Sequence, residues 1–209
     1  QHISFGTVMG EDGKPYKTRS GDTVGLEGLL DEAVSKAYGV VCANDDAKPG
    51  GPELSADDRR HIAHVVGHAA IKYADLSQNR TSDYVFSFDK MVALEGNTAT
   101  YMQYSYARTQ SIFAKGKVTL DALRRAADQL ALQDPAERAL GLKLLQFAEA
   151  LQDAVADYRP SQLTCYLFDL AKSFSEFYHQ CPVLTADTET LRTGRLLLCD
   201  LTGRTIRRG

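Results

Sequence analysis

The run Asp134-Pro135-Ala136-Glu137 most constrains how this chain folds. An Asp at the cap, a Pro at the first helical position and a Glu three residues after the cap form a capping-box pattern, which satisfies amide groups that a helix start leaves unpaired. From there Leu140, Leu144, Phe147, Leu151, Val155 and Tyr158 recur at helical spacing, predicting one helix that runs until Arg159-Pro160 ends it. Leu163, Leu167, Leu170, Phe174 and Phe177 repeat the pattern as far as Cys181-Pro182, and a last helix is predicted from about Asp187 to Arg207 with Leu191, Leu198 and Leu201 inward. Upstream, Thr98 or Thr100 opens a segment carrying Tyr101, Tyr104, Arg108 and Ile112. Apolar helices joined by short turns pack antiparallel, so residues from about 97 onward are expected to form an antiparallel helical bundle.

The beginning of the chain has another character. A short, apolar, strand-like run from His2 to Gly10 feeds a loop holding Gly10, Gly13 and Gly21 with Lys14, Lys17 and Arg19. Mobile backbone with cations suits an approach to phosphate oxygens; the plain alternative is a solvated glycine-rich turn. No Gly-x-x-x-x-Gly-Lys-Ser/Thr loop competes with it. Leu26, Leu29, Leu30, Ala33 and Ala37 predict a helix from Val24 to about Tyr38, and Asn44 to Pro52 reads as an exposed connection. Ser55 with Asp58 resembles an N-cap, followed by a buried face of Ile62, Val65, Val66, Ala69 and Tyr73. Asp83 to Phe88 alternates as a short strand does.

With 209 residues, the chain has room for one large domain or two small ones. Charge interrupts every apolar run well short of the roughly 18 to 20 residues of a spanning helix, so no membrane segment is expected. Cys42, Cys165, Cys181 and Cys199 are widely spaced without a Cys-x-x-Cys pair, which fits reduced thiols and a cytoplasmic location. A net charge of −3 argues against gripping nucleic acid by bulk positive charge, yet Arg192, Arg195, Arg204, Arg207 and Arg208 crowd the tail against the single acid Asp200. His61, His64 and His68 share one arc of their helix, but no Cys or carboxylate is clearly placed to complete a zinc site, so no metal site is expected. Asn79-Arg80-Thr81 matches a glycosylation pattern by chance.

Three runs carry a resemblance: Ala70 to Arg80 (Ala-Ile-Lys-Tyr-Ala-Asp-Leu-Ser-Gln-Asn-Arg), Phe86-Ser87-Phe88-Asp89-Lys90-Met91, and Glu95 to Arg108 (Glu-Gly-Asn-Thr-Ala-Thr-Tyr-Met-Gln-Tyr-Ser-Tyr-Ala-Arg). They resemble the class I arginyl-tRNA synthetase family. The opening run through Lys14-Pro15-Tyr16-Lys17-Thr18-Arg19-Ser20-Gly21 is similar to that family's signature loop, with Thr18 where class I enzymes usually carry a second lysine. Phe177 to Leu184 and Arg195 to Thr202 are similar to the end of its helical anticodon-binding domain, and Asp121-Ala122-Leu123-Arg124, which spells a name given to that domain type, is taken as chance. The resemblance covers essentially the whole chain in colinear order.

It implies a mainly α chain in which residues 1–96 are the trailing part of a Rossmann-like α/β catalytic domain with connecting helices, and 97–209 the anticodon-binding bundle. It also implies arginine attachment to tRNA through arginyl-adenylate, with ATP and Mg2+. Lys14, Lys17 and Arg19 would contact ATP phosphates, where placed cations stabilise charge developing as pyrophosphate leaves. Gly6, Met9, Gly10, Thr18, Ser20 and Gly21 would shape that site. The implied tRNA-binding set is Tyr101, Gln103, Tyr104, Arg108, Tyr178, Arg192 and Arg195.

Tyr101, Tyr104 and Arg108 share a helix face, and rings beside a guanidinium suit unstacked bases, although the same tyrosines also fit half-buried bundle positions with hydroxyls at the rim. The family's His-Ile-Gly-His-type motif and its arginine-cradling residues do not occur in these 209 residues. By itself the chain is therefore expected to be catalytically inactive, to bind neither ATP nor Mg2+ tightly, and to be a monomer. Two alternatives remain: a non-catalytic RNA-binding protein derived from a synthetase, and a helical protein-interaction module.

Overall fold

The computed structural model describes residues 2–10, 12–15 and 25–209. The chain divides into two compact units, one reaching Tyr101 and the other spanning Met102–Gly209. As the resemblance implies, the architecture is mostly helical.

In the first unit, β1 (Val8–Met9) pairs in parallel with β2 (Tyr84–Val85), Val8 opposite Tyr84 and Met9 opposite Val85. Between them in sequence, α1 (Leu26–Asp46) and α2 (Ala56–Ser77) form a helical hairpin, and the short α3 (Phe88–Met91) follows β2. Val8, Leu29, Leu30, Ala74 and Tyr84 pack against a core of Ala33, Ala70, Ile71, Phe86, Phe88, Met91 and Val92. The Phe86 and Phe88 rings meet edge to face with centroids 4.6 Å apart.

The hairpin departs from the sequence expectation in two ways. First, α1 continues beyond Tyr38 to Asp46, so part of the predicted connection is helical. Asp45 explains the extension: its buried carboxylate accepts from the Glu53 and Leu54 amides (3.1 and 3.2 Å) and from Arg59 Nη2 (2.7 Å), and pairs with Lys48 (3.1 Å). One side chain thus closes the turn from α1 into α2. Burial opposes its ionisation, but these donors hold the Asp45 carboxyl far below the usual carboxylate range. The expected N-cap at Ser55 is formed, and Asp58 completes it as a capping box.

Second, the buried face of α2 is Ala63, Gly67, Ala70 and Ile71, whereas Val65 of the expected face is 45% exposed. Ala33 and Ala37 oppose it from α1, and Leu26 is exposed. Small residues win because the backbones nearly touch. A Cβ on Gly67 would stand 2.7 Å from the Val34 amide nitrogen.

In the second unit, α4 (Ala99–Lys115), which begins in the first, is followed by α5 (Leu120–Arg125), α6 (Pro135–Leu145), α7 (Phe147–Ala156), α8 (Pro160–Gln180) and α9 (Glu189–Arg208). Thr98 Oγ1 accepts from the Tyr101 amide at 3.2 Å, as an N-cap does. Leu196 through Asp200 are all buried, so the middle of α9 is enclosed on every side, while both of its ends keep an exposed face. It packs against α5, α6 and α8. Leu201, expected inward, is instead 38% exposed, and Thr202 and Ile206 turn in.

The single helix predicted after Asp134 is two. Gln146 caps the C-terminus of α6 and precedes α7, and only the first part of the predicted stripe is buried: Leu140 is fully buried, while Leu151, Val155 and Tyr158 are exposed. Ala154 is the buried contact of α7, a small side chain that lets α7 lie close to α8. Past α7, Tyr158 adopts φ +53 and the Arg159 amide donates to the Ala154 carbonyl (2.8 Å), so a left-handed residue ends the helix. The run Asp121-Ala122-Leu123-Arg124 proves structural: Leu123 is buried, and Arg124 donates from Nε and Nη2 to the two oxygens of buried Asp200 at 2.9 and 2.8 Å.

Gly67→Ala should lower the unfolding free energy by about 1–3 kcal/mol through overpacking of the hairpin. Gly39→Ala, on an open face of α1, should raise it by about 0.5–1 kcal/mol. Urea unfolding followed by circular dichroism measures both, and equal effects would refute the close-approach explanation.

Candidate nucleic-acid interface

A groove of about 730 Å3 opens in the second unit. One wall is the α4 face of Tyr104, Arg108, Ser111 and Lys115, whose spacing of four, three and four residues keeps them in one row. The other comes from the end of α8, with Tyr178 and His179, and from the segment after it, Pro182 to Thr185. Ile112 and Val183 form an apolar floor, both nearly fully buried.

Arg108 organises the mouth. Its guanidinium lies 4.7 Å from the Tyr104 ring centroid and 5.2 Å from that of Tyr178, and Nη2 donates to the Tyr104 hydroxyl. Cation and ring faces attract without any buried counter-charge. Tyr104 and Tyr178 remain 46% and 39% exposed, enough to offer ring surface to a flat partner. Tyr178 is steadied from behind by Phe174, centroids 6.2 Å apart. His179 Nδ1 lies 2.6 Å from the Ser175 carbonyl oxygen, which only accepts, so Nδ1 donates in this contact.

The structure brings Tyr104, Arg108 and Tyr178 together across 70 residues of sequence. It does not bring the other expected tRNA-binding residues to the groove. Tyr101 lies in the first unit, and Gln103 is half-buried outside the lining, its Oε1 buried and unpaired. Arg192 pairs with Glu189 at 3.0 Å on the outside of α9. Arg195 donates from Nε to Glu137 Oε1 (2.6 Å) and from Nη1 to the Pro182 carbonyl (2.8 Å), with 12% of its side chain exposed. Lys115, Ser111 and His179 were missed in the sequence, although the row continuing from Tyr104 and Arg108 points to the first two.

In the first unit, the Gly10–Lys14 turn is closed by the Gly10 amide donating to the Lys14 carbonyl (2.7 Å) and the Lys14 amide donating to Asp12 Oδ1 (3.1 Å), and Met9 bridges Pro15. Lys14 is exposed there. Gly6 has a packing reason: its amide donates to the Arg80 carbonyl at 2.6 Å, and a Cβ would collide with the Ser82 carbonyl oxygen. Lys17, Thr18, Arg19, Ser20 and Gly21 lie outside the described residues. Among the described residues no group of three or more His, Cys, Asp or Glu side chains stands together as a metal site. His64 and His68 stack at 4.0 Å, with His68 Nδ1 2.8 Å from the His64 carbonyl oxygen. No helix among them is long and apolar enough to cross a membrane.

Residues 102–209 match the DALR anticodon binding domain, and residues 1–88 match the catalytic domain of class I (R) tRNA synthetases. The whole chain is 49% identical to an arginine--tRNA ligase of Rhodopirellula baltica and 50% identical to one of Hahella chejuensis, covering 32% and 34% of their lengths. It superposes on the Thermus thermophilus arginyl-tRNA synthetase with a TM-score of 0.81 at 31% identity, over 98% of this chain and 33% of that one. The Plasmodium falciparum arginyl-tRNA synthetase gives 0.80 at 30% identity, over 99% and 33%. The chain belongs to the arginyl-tRNA synthetase family. It spans about a third of the length of the curated relatives it matches.

Burial of Glu137 disfavours its charged form, but Arg195 and the amides of Asp134 and Gln133 outweigh this and hold its pKa below the usual value. A lowered folded pKa contributes stability that is complete above the ordinary carboxylate value and is lost as pH falls from there through the lower folded one. Glu137→Gln should therefore cost about 1–3 kcal/mol at pH 7, and the gap to the unsubstituted chain should narrow progressively as pH falls below the ordinary glutamate value. Urea titrations from about pH 7 down into the acid range test this; a constant gap would count against it.

Proposed function

We propose that the chain acts as part of an arginyl-tRNA synthetase, which uses ATP with Mg2+ to form arginyl-adenylate and passes arginine to its tRNA. Its second unit receives the anticodon arm in the groove between α4 and the end of α8. The observation carrying this reading is the Arg108 guanidinium held against the faces of Tyr104 and Tyr178 at an open groove, in a unit that matches an anticodon-binding domain. Stacking on an aromatic face is worth about 1–3 kcal/mol per base and needs no large net charge, which reconciles nucleic-acid binding with a net charge of −3. Lys115 in the same groove offers a cation to a phosphate.

The first unit, in the same reading, supplies the trailing part of the catalytic domain. Residues 1–96 belong to it and 97–209 to the anticodon-binding domain. Support comes from the match of residues 1–88 to a catalytic-domain model and from the division into compact units at Tyr101 and Met102. Exposed Lys14, with Lys17 and Arg19, contacts the ATP phosphates, and Met9, Gly10, Thr18, Ser20 and Gly21 shape the loop around them. Mg2+ enters as an ion carried by those phosphates. The protein works in the cytoplasm, as a monomer.

Tyr104→Ala combined with Arg108→Ala should weaken tRNA binding at least about tenfold, the loss of one stacked base, with the helical circular dichroism signal retained. An unchanged affinity in an anisotropy titration would refute the groove as the tRNA site and favour a protein-interaction role. In the complete synthetase, Lys17→Ala with Arg19→Ala should slow pyrophosphate exchange more than it weakens tRNA binding. Equal losses in both would count against phosphate contact.

A further inference from the structure

One side-chain node ties three elements at the back of the groove. Glu137, nearly fully buried at the start of α6, accepts from the Gln133 and Asp134 amides on Oε2 (2.7 and 3.0 Å) and from Arg195 Nε of α9 on Oε1 (2.6 Å). Arg195 spends its Nη1 on the Pro182 carbonyl (2.8 Å). Cys181, the preceding residue, is fully buried, and its thiol is pushed up to about 11 by burial and by Asp134 and Glu137. Pro182, Val183, Leu184 and Thr185 form the wall facing Tyr104 and Arg108.

We infer that Arg195 is a positioning residue for the tRNA-binding groove: it holds the Pro182–Thr185 wall at its distance from α4 and makes no phosphate contact of its own. The inference rests on the groove being the tRNA site. Two of the guanidinium's bonding positions are committed within the protein, and its side chain is only 12% exposed. Its charge already balances a buried carboxylate, and moving the side chain outward to a phosphate would leave that carboxylate unpaired, which is costly. Its Pro182 bond acts on the wall directly, because a helix has just ended at Gln180 and the segment continues without regular structure up to α9.

The test uses the whole chain and an arginine-accepting tRNA. Arg195→Met should weaken binding about tenfold while leaving the slope of log affinity against log salt unchanged, because no phosphate contact is lost. Without tRNA, Cys181 should become open to a thiol reagent, read by mass spectrometry against exposed Cys165 as the internal reference. Arg195→Lys, which retains a cation near Glu137, should recover part of both. The Glu137→Gln/Arg195→Met pair removes the unpaired buried charge and should reproduce the Arg195→Met phenotype if the single variant fails to fold.

A salt slope shallower by about one with Cys181 still protected would make Arg195 a phosphate contact and overturn the inference. So would an exposed Cys181 with unchanged affinity, provided that Tyr104→Ala weakens binding. If Tyr104→Ala also leaves affinity unchanged, the groove itself is not the tRNA site and the positioning role falls with it.

Discussion

The second unit hangs on a carboxylate that does two things at once. Glu137 completes the capping box that starts α6 and is the counter-charge for Arg195 of α9. Because it is buried, each of its bonds is worth keeping: a carboxylate removed from water with any acceptor position unfilled costs more than the bond that fills it gains. Start of α6, register of α9 and the segment after α8 are therefore set together. A shift in one would strand a charge.

The same device recurs at two other helix contacts. Asp45 closes the α1–α2 hairpin through two backbone amides and Arg59, and Asp200 joins α9 to α5 through a two-pronged contact with Arg124. Buried pairs of this kind are weak sources of net stability compared with apolar packing, but they punish misalignment. Apolar burial drives the collapse; the ion pairs select the arrangement. Between them, small residues such as Ala33, Ala63 and Gly67 let backbones approach closely enough for both to be satisfied.

The groove is a product of that arrangement rather than of any one element. α4 contributes a row of polar and aromatic side chains, while α8 contributes Tyr178 only because it ends where it does. Arg108 links the two tyrosines across the groove, its guanidinium lying near both rings. Such a surface is ready for a flat, electron-rich ring at little ordering cost. That makes it suited to an unstacked base within the synthetase reading.

By itself the sequence determined the helical character of the chain, the N-cap at Ser55, the capping box at Asp134, the stop at Cys181-Pro182, and the family, because these depend on neighbours within a turn or on long colinear motifs. It also paired Tyr104 with Arg108, one helical turn apart. Only the tertiary structure decided which stripe of α2 is buried, that the helix after Asp134 breaks at Gln146, that Leu201 faces out, and that Arg195 turns to Glu137 and Pro182. Periodicity ranks faces by hydrophobicity, whereas a packed interface chooses by how closely backbones can approach. Arg195 shows the electrostatic counterpart. In a list of residues it is one more cation in a basic tail, and its partner, 58 positions away, becomes its neighbour only when α6 and α9 pack.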